Sequence, residues 1–483
     1  MTLRLLERLR LHAVDRPGAI AIVQADAPGW RPLTWKELHA DVGALAGHLR
    51  QVIADGGTLL LCCPNQAEYI VAYLAIVSTG AAVFPISPEL TVVEIATAAE
   101  RSGAAGILAP SALLQLLDKS NLDALLRIPL DDVIRSALGA QRPSRMGSSA
   151  AAMLLQSSGT TGQPKIVRRG AAALDAVSEA MVEAVGFRPS DHVLACVPLC
   201  HSYGVEHGLL APIFAGSCIH LCRGFELSVV QRALSQEQIT LFPAVPFMLE
   251  MLCQLVDDVP ATKLHKVYSA GGRLPATVAE VIQHRFDIRI GQVYGATEIG
   301  SVTFNDPSSA EFDPTTVGLP MRGVSIRILD DAMTPQLPGT DGHVAIAADS
   351  MLSEYVGGEA VHLQDGHFLT GDLGRVNESG ALTITGRTKL LIDVGGLKVN
   401  PLEVEEVLAR HPKIAECVVV PIEITQTVSR LKAIVVVREG EVSEAELRQF
   451  ARQNLASYKV PRVFEMRPSL PRSAAGKVLR HLL

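Results

Sequence analysis

The feature that most constrains this chain is an alternation, through its larger part, of short apolar runs with stretches of helical period. Thr34–Val52 reads as a helix, with Thr34 as its cap and Glu37 three residues on. Thr58–Cys63 reads as a strand, Gln66–Ser78 as a helix, Ala82–Ile86 as a strand, Thr91–Ser102 as a helix stopped by Gly103, and Gly106–Ala109 as a strand. The rhythm resumes with helix Ala171–Val185, strand Asp191–Pro198, helix Glu206–Phe214 and strand Ser217–Cys222. Two short buried strands follow, Thr240–Pro243 and Lys266–Ala270. Strand–helix alternation predicts parallel, doubly wound sheets, whose ligands sit beyond the carboxyl ends of the strands. The residues there, Pro243-Ala244-Val245-Pro246 and Ala270-Gly271-Gly272, are small enough for a flat ligand to approach the backbone.

From Val324 to Ile384 the texture changes to short strands with Gly and Asp turns. After Gly386-Arg387 a separate unit begins. Asn400 caps a helix over 401–410, with Pro401 at its first position and Glu403 completing the box. Cys417–Pro421 and Ala433–Arg438 read as strands, and Ser443 caps a helix running to Leu455. The expected fold is α/β: a large N-terminal domain of doubly wound sheets plus a β-rich part over 1–386, and a small, mobile α+β domain over 387–483.

Between these elements lies Gln156-Ser157-Ser158-Gly159-Thr160-Thr161-Gly162-Gln163-Pro164-Lys165, entered from the apolar run 150–155. The glycines let successive N–H groups point to one place, the hydroxyls add donors, and Lys165 adds a compact positive charge. This composition suits a polyphosphate. It is not the common P-loop, because the glycine spacing differs and no Lys-Ser/Thr opens a helix.

Hydrophobic residues make up 48% of the 483 and charged residues 19%, which fits an ordinary globular protein. With a net charge of −7 and no basic block, a nucleic-acid partner is not expected. Eight cysteines do not make a disulfide framework, and Met1–Arg16 lacks the apolar core of a signal peptide, so a reducing cytoplasm is expected. Tyr69–Ile86 is apolar but broken by Ser78, Thr79 and Gly80, and reads as a core helix and strand rather than a membrane span. Cys196, Cys200 and His201, and Cys218, His220 and Cys222, match none of the usual zinc-finger spacings. Both groups lie in apolar runs and read as core.

Five further strings complete a pattern: Gln292-Val293-Tyr294-Gly295-Ala296-Thr297-Glu298, Thr370-Gly371-Asp372-Leu373-Gly374, Gly386-Arg387-Thr388-Lys389, Gly395-Gly396-Leu397-Lys398-Val399, and Pro471-Arg472-Ser473-Ala474-Ala475-Gly476-Lys477. With the loop at 156–165, their order resembles that of the adenylate-forming (ANL) superfamily, which holds acyl-CoA synthetases, peptide-synthetase adenylation domains and luciferases. The resemblance runs over nearly the whole chain. It implies that an acid is activated by ATP and Mg2+ and then passed to a thiol, either CoA or the phosphopantetheine of a carrier protein.

The same resemblance distributes roles. The 156–165 loop would hold the β- and γ-phosphates. Tyr294 would stack on adenine, with Gly271 and Gly272 on its other face, Gln292 at the base edge and Gly295 beside it. Thr297 would contact phosphate, Glu298 would ligate Mg2+, Asp372 would accept the ribose hydroxyls, and Arg387 would lie near ribose and phosphate. Lys477 would bridge the attacking carboxylate and the α-phosphate. Lys389 sits at the hinge position, and Gly395, Gly396 and Lys398 line the thiol side. Many CoA ligases carry lysine where this chain has Asp393, with Lys398 nearby as a possible substitute charge.

The acid pocket would draw on His201, Tyr203, His207, Ala244, Ala270 and Ala296. Amino-acid-activating relatives carry an Asp near the position of Tyr203. None is present here, so an aryl or short-to-medium acyl acid is expected. Glu206 and His207 are left between two readings, pocket or solvent. Arg410, Lys413 and Arg430 are candidates for the CoA 3′-phosphate. Three other readings stay open: a stand-alone enzyme that loads a carrier protein, a non-catalytic nucleotide-binding relative, and a luciferase-like oxygenase. The particular acid, the pathway and the oligomeric state are not legible.

Overall fold

The structure is a computed structural model. It describes residues 3–27, 31–53, 56–117, 125–131, 151–157, 164–236, 238–254, 263–272, 274–387, 392–399, 401–424, 429–438, 440–471 and 480–483. Two large sheets dominate. The nine-stranded sheet runs in the order Leu319–Pro320, Gly300–Asn305, Ile290–Ala296, Lys266–Ser269, Leu241–Ala244, His192–Ala195, Cys218–Leu221, Ile20–Gln24, Leu33–Thr34. Its six central strands are parallel. The seven-stranded sheet runs Glu354–Val356, Lys165–Gly170, Ala152–Ser157, Ala82–Ile86, Thr58–Cys62, Ala104–Ala109, Leu126–Pro129, with the last five parallel.

One apolar cluster joins Leu59, Val83 and Leu155 of the second sheet to Val193, Ile219 and Leu241 of the first, through the helices between them. Helix Ala67–Thr79 lies in this layer and is buried on nearly every side, which explains why its sequence is apolar all round rather than striped. Helices Trp35–Val52 and Val92–Ser102 begin with complete capping boxes on Thr34 and Thr91. The expected core helix and strand over 69–86 are thus present. Among the described residues, no helix is long and apolar enough to cross a membrane.

A five-stranded antiparallel sheet follows, built from Val324–Leu329, Gly342–Ala348, Leu363–Gln364, His367–Val376 and Leu382–Arg387. Beyond it the hairpin Ile392–Val394/Leu397–Val399, helices Pro401–Ala409 and Glu444–Asn454, and the sheet Ile414–Glu423, Ser429–Val437, Val463–Met466 close on an apolar cluster of their own.

Two segments depart from the expected helices. Val182–Gly186 and Glu206–Leu210 are π-helical. Such turns carry a wider hydrogen-bonded ring than α-helix and often mark functional regions.

Candidate active site

The carboxyl ends of the parallel strands open into one cleft of about 1510 Å³. From the large body come Ser157 and Lys165, His201 to Tyr203, Ala270 to Gly272, Gln292 to Glu298, and Thr370 to Asp372. From the small body come Gly396 to Lys398, Glu403, Tyr458 and Lys459.

At one wall the Tyr294 hydroxyl donates to Asp372 Oδ2 at 2.7 Å, and the Asp372 N–H donates to Thr370 Oγ1. Asp372 is only 4% exposed, so its aim is fixed by these partners. Gln292 donates its amide hydrogens to the carbonyls of Pro314 and Thr316, leaving its oxygen, an acceptor, for any ligand. Gly295 cannot carry a side chain: a Cβ there would stand 2.3 Å from Gly300 O.

At another wall Lys165 pairs with Glu359 at 2.6 Å and lies over the ring of Tyr355. The Tyr355 hydroxyl donates to Glu298 Oε1 at 3.3 Å. Burial, then the charge of Glu298, pushes that phenol well above its ordinary range, so it stays a donor. Glu298 offers hard oxygen to a hard cation, which fits Mg2+ as a donor type. Thr297 lines the cleft beside it.

His201 is half-buried, and its pKa falls to about 4 through desolvation and then the nearby ammonium of Lys459. It is therefore a neutral imidazole near pH 7. The Tyr203 hydroxyl donates to Tyr268 O at 3.3 Å, and burial holds it well above its ordinary range. The small body reaches the cleft through its hairpin. Gly395 and Gly396 turn it with φ of 64° and 90°. A Cβ on Gly396 would stand 3.1 Å from Val245, so the turn lies flat on the large body.

The sequence profile described as AMP-binding enzyme matches residues 9–356, and that of the AMP-binding enzyme C-terminal domain matches residues 403–477. The chain belongs to the AMP-binding enzyme family. Among relatives of this family, a 2-succinylbenzoate–CoA ligase of Bacillus licheniformis is 29% identical over 98% of this chain and 98% of its own. Of solved structures, o-succinylbenzoate CoA synthetase (MenE) from Bacillus subtilis, a double mutant bound with its product analogue OSB-NCoA, superposes with a TM-score of 0.89. It is 26% identical and covers 100% of this chain and 98% of its own. A malonyl-CoA ligase ternary product complex with methylmalonyl-CoA and AMP superposes at 0.83, with 25% identity and 97% and 100% coverage. The α/β fold, with a large sheet domain and a small C-terminal one, is that of the family.

Within this AMP-binding enzyme, Ser158, Gly159, Thr160, Thr161, Gly162, Lys389 and Lys477 lie outside the described residues, as does the side chain of Arg387. Three expected positions do not reach the cleft. Ala244 is wholly buried behind it, and Gly395 stands back while Gly396 and Lys398 form the wall. His207 is the clearest correction: neither pocket nor solvent holds it. It is 1% exposed, accepts from the Tyr268 hydroxyl at Nδ1 and donates from Nε2 to Ser301 Oγ, an order set by Ser301 donating onward to Glu206. Burial drives its pKa to about 3.

Glu206 is likewise internal. It is ion-paired with Arg169 and takes further bonds from the Ser202 hydroxyl and the Ser301 N–H. Burial raises its carboxyl, but Arg169 and Ser301 outweigh that and hold it below the ordinary value.

Lys398 does not supply a free charge. It pairs with Asp393 at 2.6 Å, and Asp393 also accepts the Gly396 N–H. Of the 3′-phosphate candidates, Lys413 is paired with Glu446 at 3.0 Å. Cys196 and Cys222 pack in the core as expected. Cys218 and His220 are buried as expected too, and His220 meets His192 of the neighbouring strand, the two imidazoles bonding each other at 2.9 Å.

Sequence reasoning missed Tyr355, Tyr458 and Lys459, which line the cleft, and Glu359, which pairs with Lys165. None of these stands in a string singled out above, and only the fold brings them together.

Proposed function

We propose that this chain is an AMP-forming acid–CoA ligase, acting on an aryl or short-to-medium acyl acid. The observation that carries the reading is the meeting, in one cleft, of Asp372, Tyr294, Gly271 and Gly272 from the large body with the Gly396–Lys398 turn from the small one. The names of the relatives, and the product-analogue and product complexes among the similar structures, support it.

In the first step a carboxylate oxygen attacks the α-phosphorus of ATP and pyrophosphate leaves. Both reactants are anions, so the chain must screen their repulsion and the charge that develops. Lys165 serves this need toward the phosphates, as does Lys477 on the sequence reading; Glu298 would hold Mg2+, which would supply further charge neutralisation. Asp372 and Tyr294 orient the nucleoside, and the glycines 271 and 272 leave room for a flat ring. In the second step a thiol sulfur attacks the acyl carbon, the bond to AMP breaks and the thiol proton is released. His201, the imidazole among the described lining residues, is neutral and can accept a hydrogen bond from the thiol. Residues 1–386 and 387–483 form the two bodies that turn against each other between steps. Eight cysteines, none of them in a disulfide, suit a reducing cytoplasm.

The test is pyrophosphate exchange over a panel of acids with ATP and Mg2+, followed by CoA offered beside carrier proteins. Exchange with an aryl or acyl acid and transfer to CoA are expected, and no exchange with any acid would sink the reading. Lys477→Ala is expected to abolish exchange while sparing transfer from a supplied acyl-adenylate.

A further inference from the structure

After helix Glu444–Asn454 the small body presses a short segment against the large one. Ala456 is fully buried, and Tyr458 packs beside it, in the cluster of Leu60, Phe84 and Ile95. Ser457 Oγ lies 3.4 Å from Glu89. Lys459 follows, its side chain 8% exposed. Its ammonium is 2.8 Å from Glu403 Oε1 and 3.3 Å from Glu94 Oε1. Glu403 belongs to helix Pro401–Ala409 of the small body, and Glu94 to helix Val92–Ser102 of the large one. One buried cation thus holds a carboxylate on each side of the seam.

Glu94 is fixed before Lys459 arrives. Its Oε2 accepts the N–H and the hydroxyl of Thr91 at 2.9 and 3.0 Å, completing the capping box and leaving Oε1 for the ammonium. The arrangement also solves a problem of motion. A buried ammonium whose only partner stayed behind would be left uncompensated when the bodies part. Here Glu403 moves with Lys459, and Glu94 keeps its bonds to Thr91. Burial alone would depress the lysine, yet Tyr458, Glu403 and Glu94 outweigh it and keep it charged.

We propose that Lys459 is a positioning residue for the thiol-transfer step: through Glu94 it holds the small body in the orientation that brings the Gly396 turn to the cleft, and Glu403 is its permanent counter-ion. This rests on the two-step reading above. Lys459 need touch no reactant. Its effect is to set how much of the enzyme stands ready for the second step.

Glu94→Gln separates the roles, because glutamine still completes a capping box but offers Lys459 no charge. Pyrophosphate exchange is expected to be unchanged. Single-turnover transfer to CoA from benzoyl-adenylate, or from the adenylate of whichever panel acid exchanges best, is expected to fall on the order of tenfold, the value of a charged hydrogen bond. Glu94→Asp keeps the helix-end charge but draws it back from the ammonium, and is expected to show the same selective loss if the glutamine variant folds poorly. Thr91→Ala weakens the cap and leaves the carboxylate, so transfer is expected to hold while melting temperature drops slightly. Unchanged transfer in both Glu94 variants, equal loss of both steps, or the same transfer loss in Thr91→Ala would overturn the proposal. A wild-type protein that exchanges no pyrophosphate would instead overturn the functional reading beneath it.

Discussion

Two buried ionic clusters flank the cleft, and they are built to opposite ends. Arg169 and Glu206 are 0% and 1% exposed, and both sit on the large body. Glu206 takes four bonds in all, from Arg169, from Ser202, and from the N–H and hydroxyl of Ser301. Lys459 spans two bodies with one contact on the far side. Desolvated charge is costly to separate, so many contacts on one frame give permanence, whereas a single contact across a seam, with a travelling counter-ion, gives reversibility. The seam cluster is also less deeply buried, its side chains 8–17% exposed. What most distinguishes the two clusters is which element carries each partner.

The largest effect should come from breaking the permanent cluster. Arg169→Met leaves a buried carboxylate uncompensated and is expected to cost about 3–5 kcal/mol in chemical denaturation, with both half-reactions falling together. Adding Glu206→Gln should return part of that loss. A selective loss of one half-reaction would erase the contrast between the clusters.

Next comes the proton linkage of the imidazole beside it. Folded His207 titrates at about 3 against an ordinary 6.5. Between those values the unfolded chain binds more protons. Stability is therefore complete above 6.5 and falls as pH is lowered through the window. His207→Gln should flatten that slope in melts recorded against pH, whatever it does to the absolute value.

Smaller still, Thr91→Ala should cost about 1 kcal/mol, the usual value of a lost cap. Last is Asp393→Asn. Its pair with Lys398 is about a quarter exposed on each side, so stability should change by less than about 1 kcal/mol. Because Asp393 shapes the turn at Gly396, any kinetic change should appear in CoA transfer rather than in exchange.

Much of the fold could be read from the chain because local and global signals agree there. The boxes at Thr34 and Thr91 mark helix starts to the residue, and Gly103 stops a helix in a left-handed conformation with φ of 61°. The cleft's Tyr294 and Asp372 were also legible, since they stand in ordered strings, and Gly271 because it follows a buried strand. His207 was misplaced because a polar pair at a helix start looks like surface, and its partners, Tyr268 and Ser301, are far off in sequence. Arg169 left a signal that could have been used: in strand Lys165–Gly170 it shares a face with buried Val167, and a charge on an inward face demands a partner. Lys459 left none. Its environment comes from two bodies meeting, which no periodicity encodes.

The π-turn at Glu206–Leu210 makes the number of residues matter as much as their kind. An α-helix advances about 100° per residue, so a chain shortened by one between Val205 and Ala211 would wind into regular helix and swing whatever precedes the cut by that angle. The carboxylate would then point away from Arg169, although every side chain of the ionic cluster would still be present. A single-codon deletion there would therefore do more harm than most substitutions, and length drift in this helix should be resisted even where its composition is free to vary.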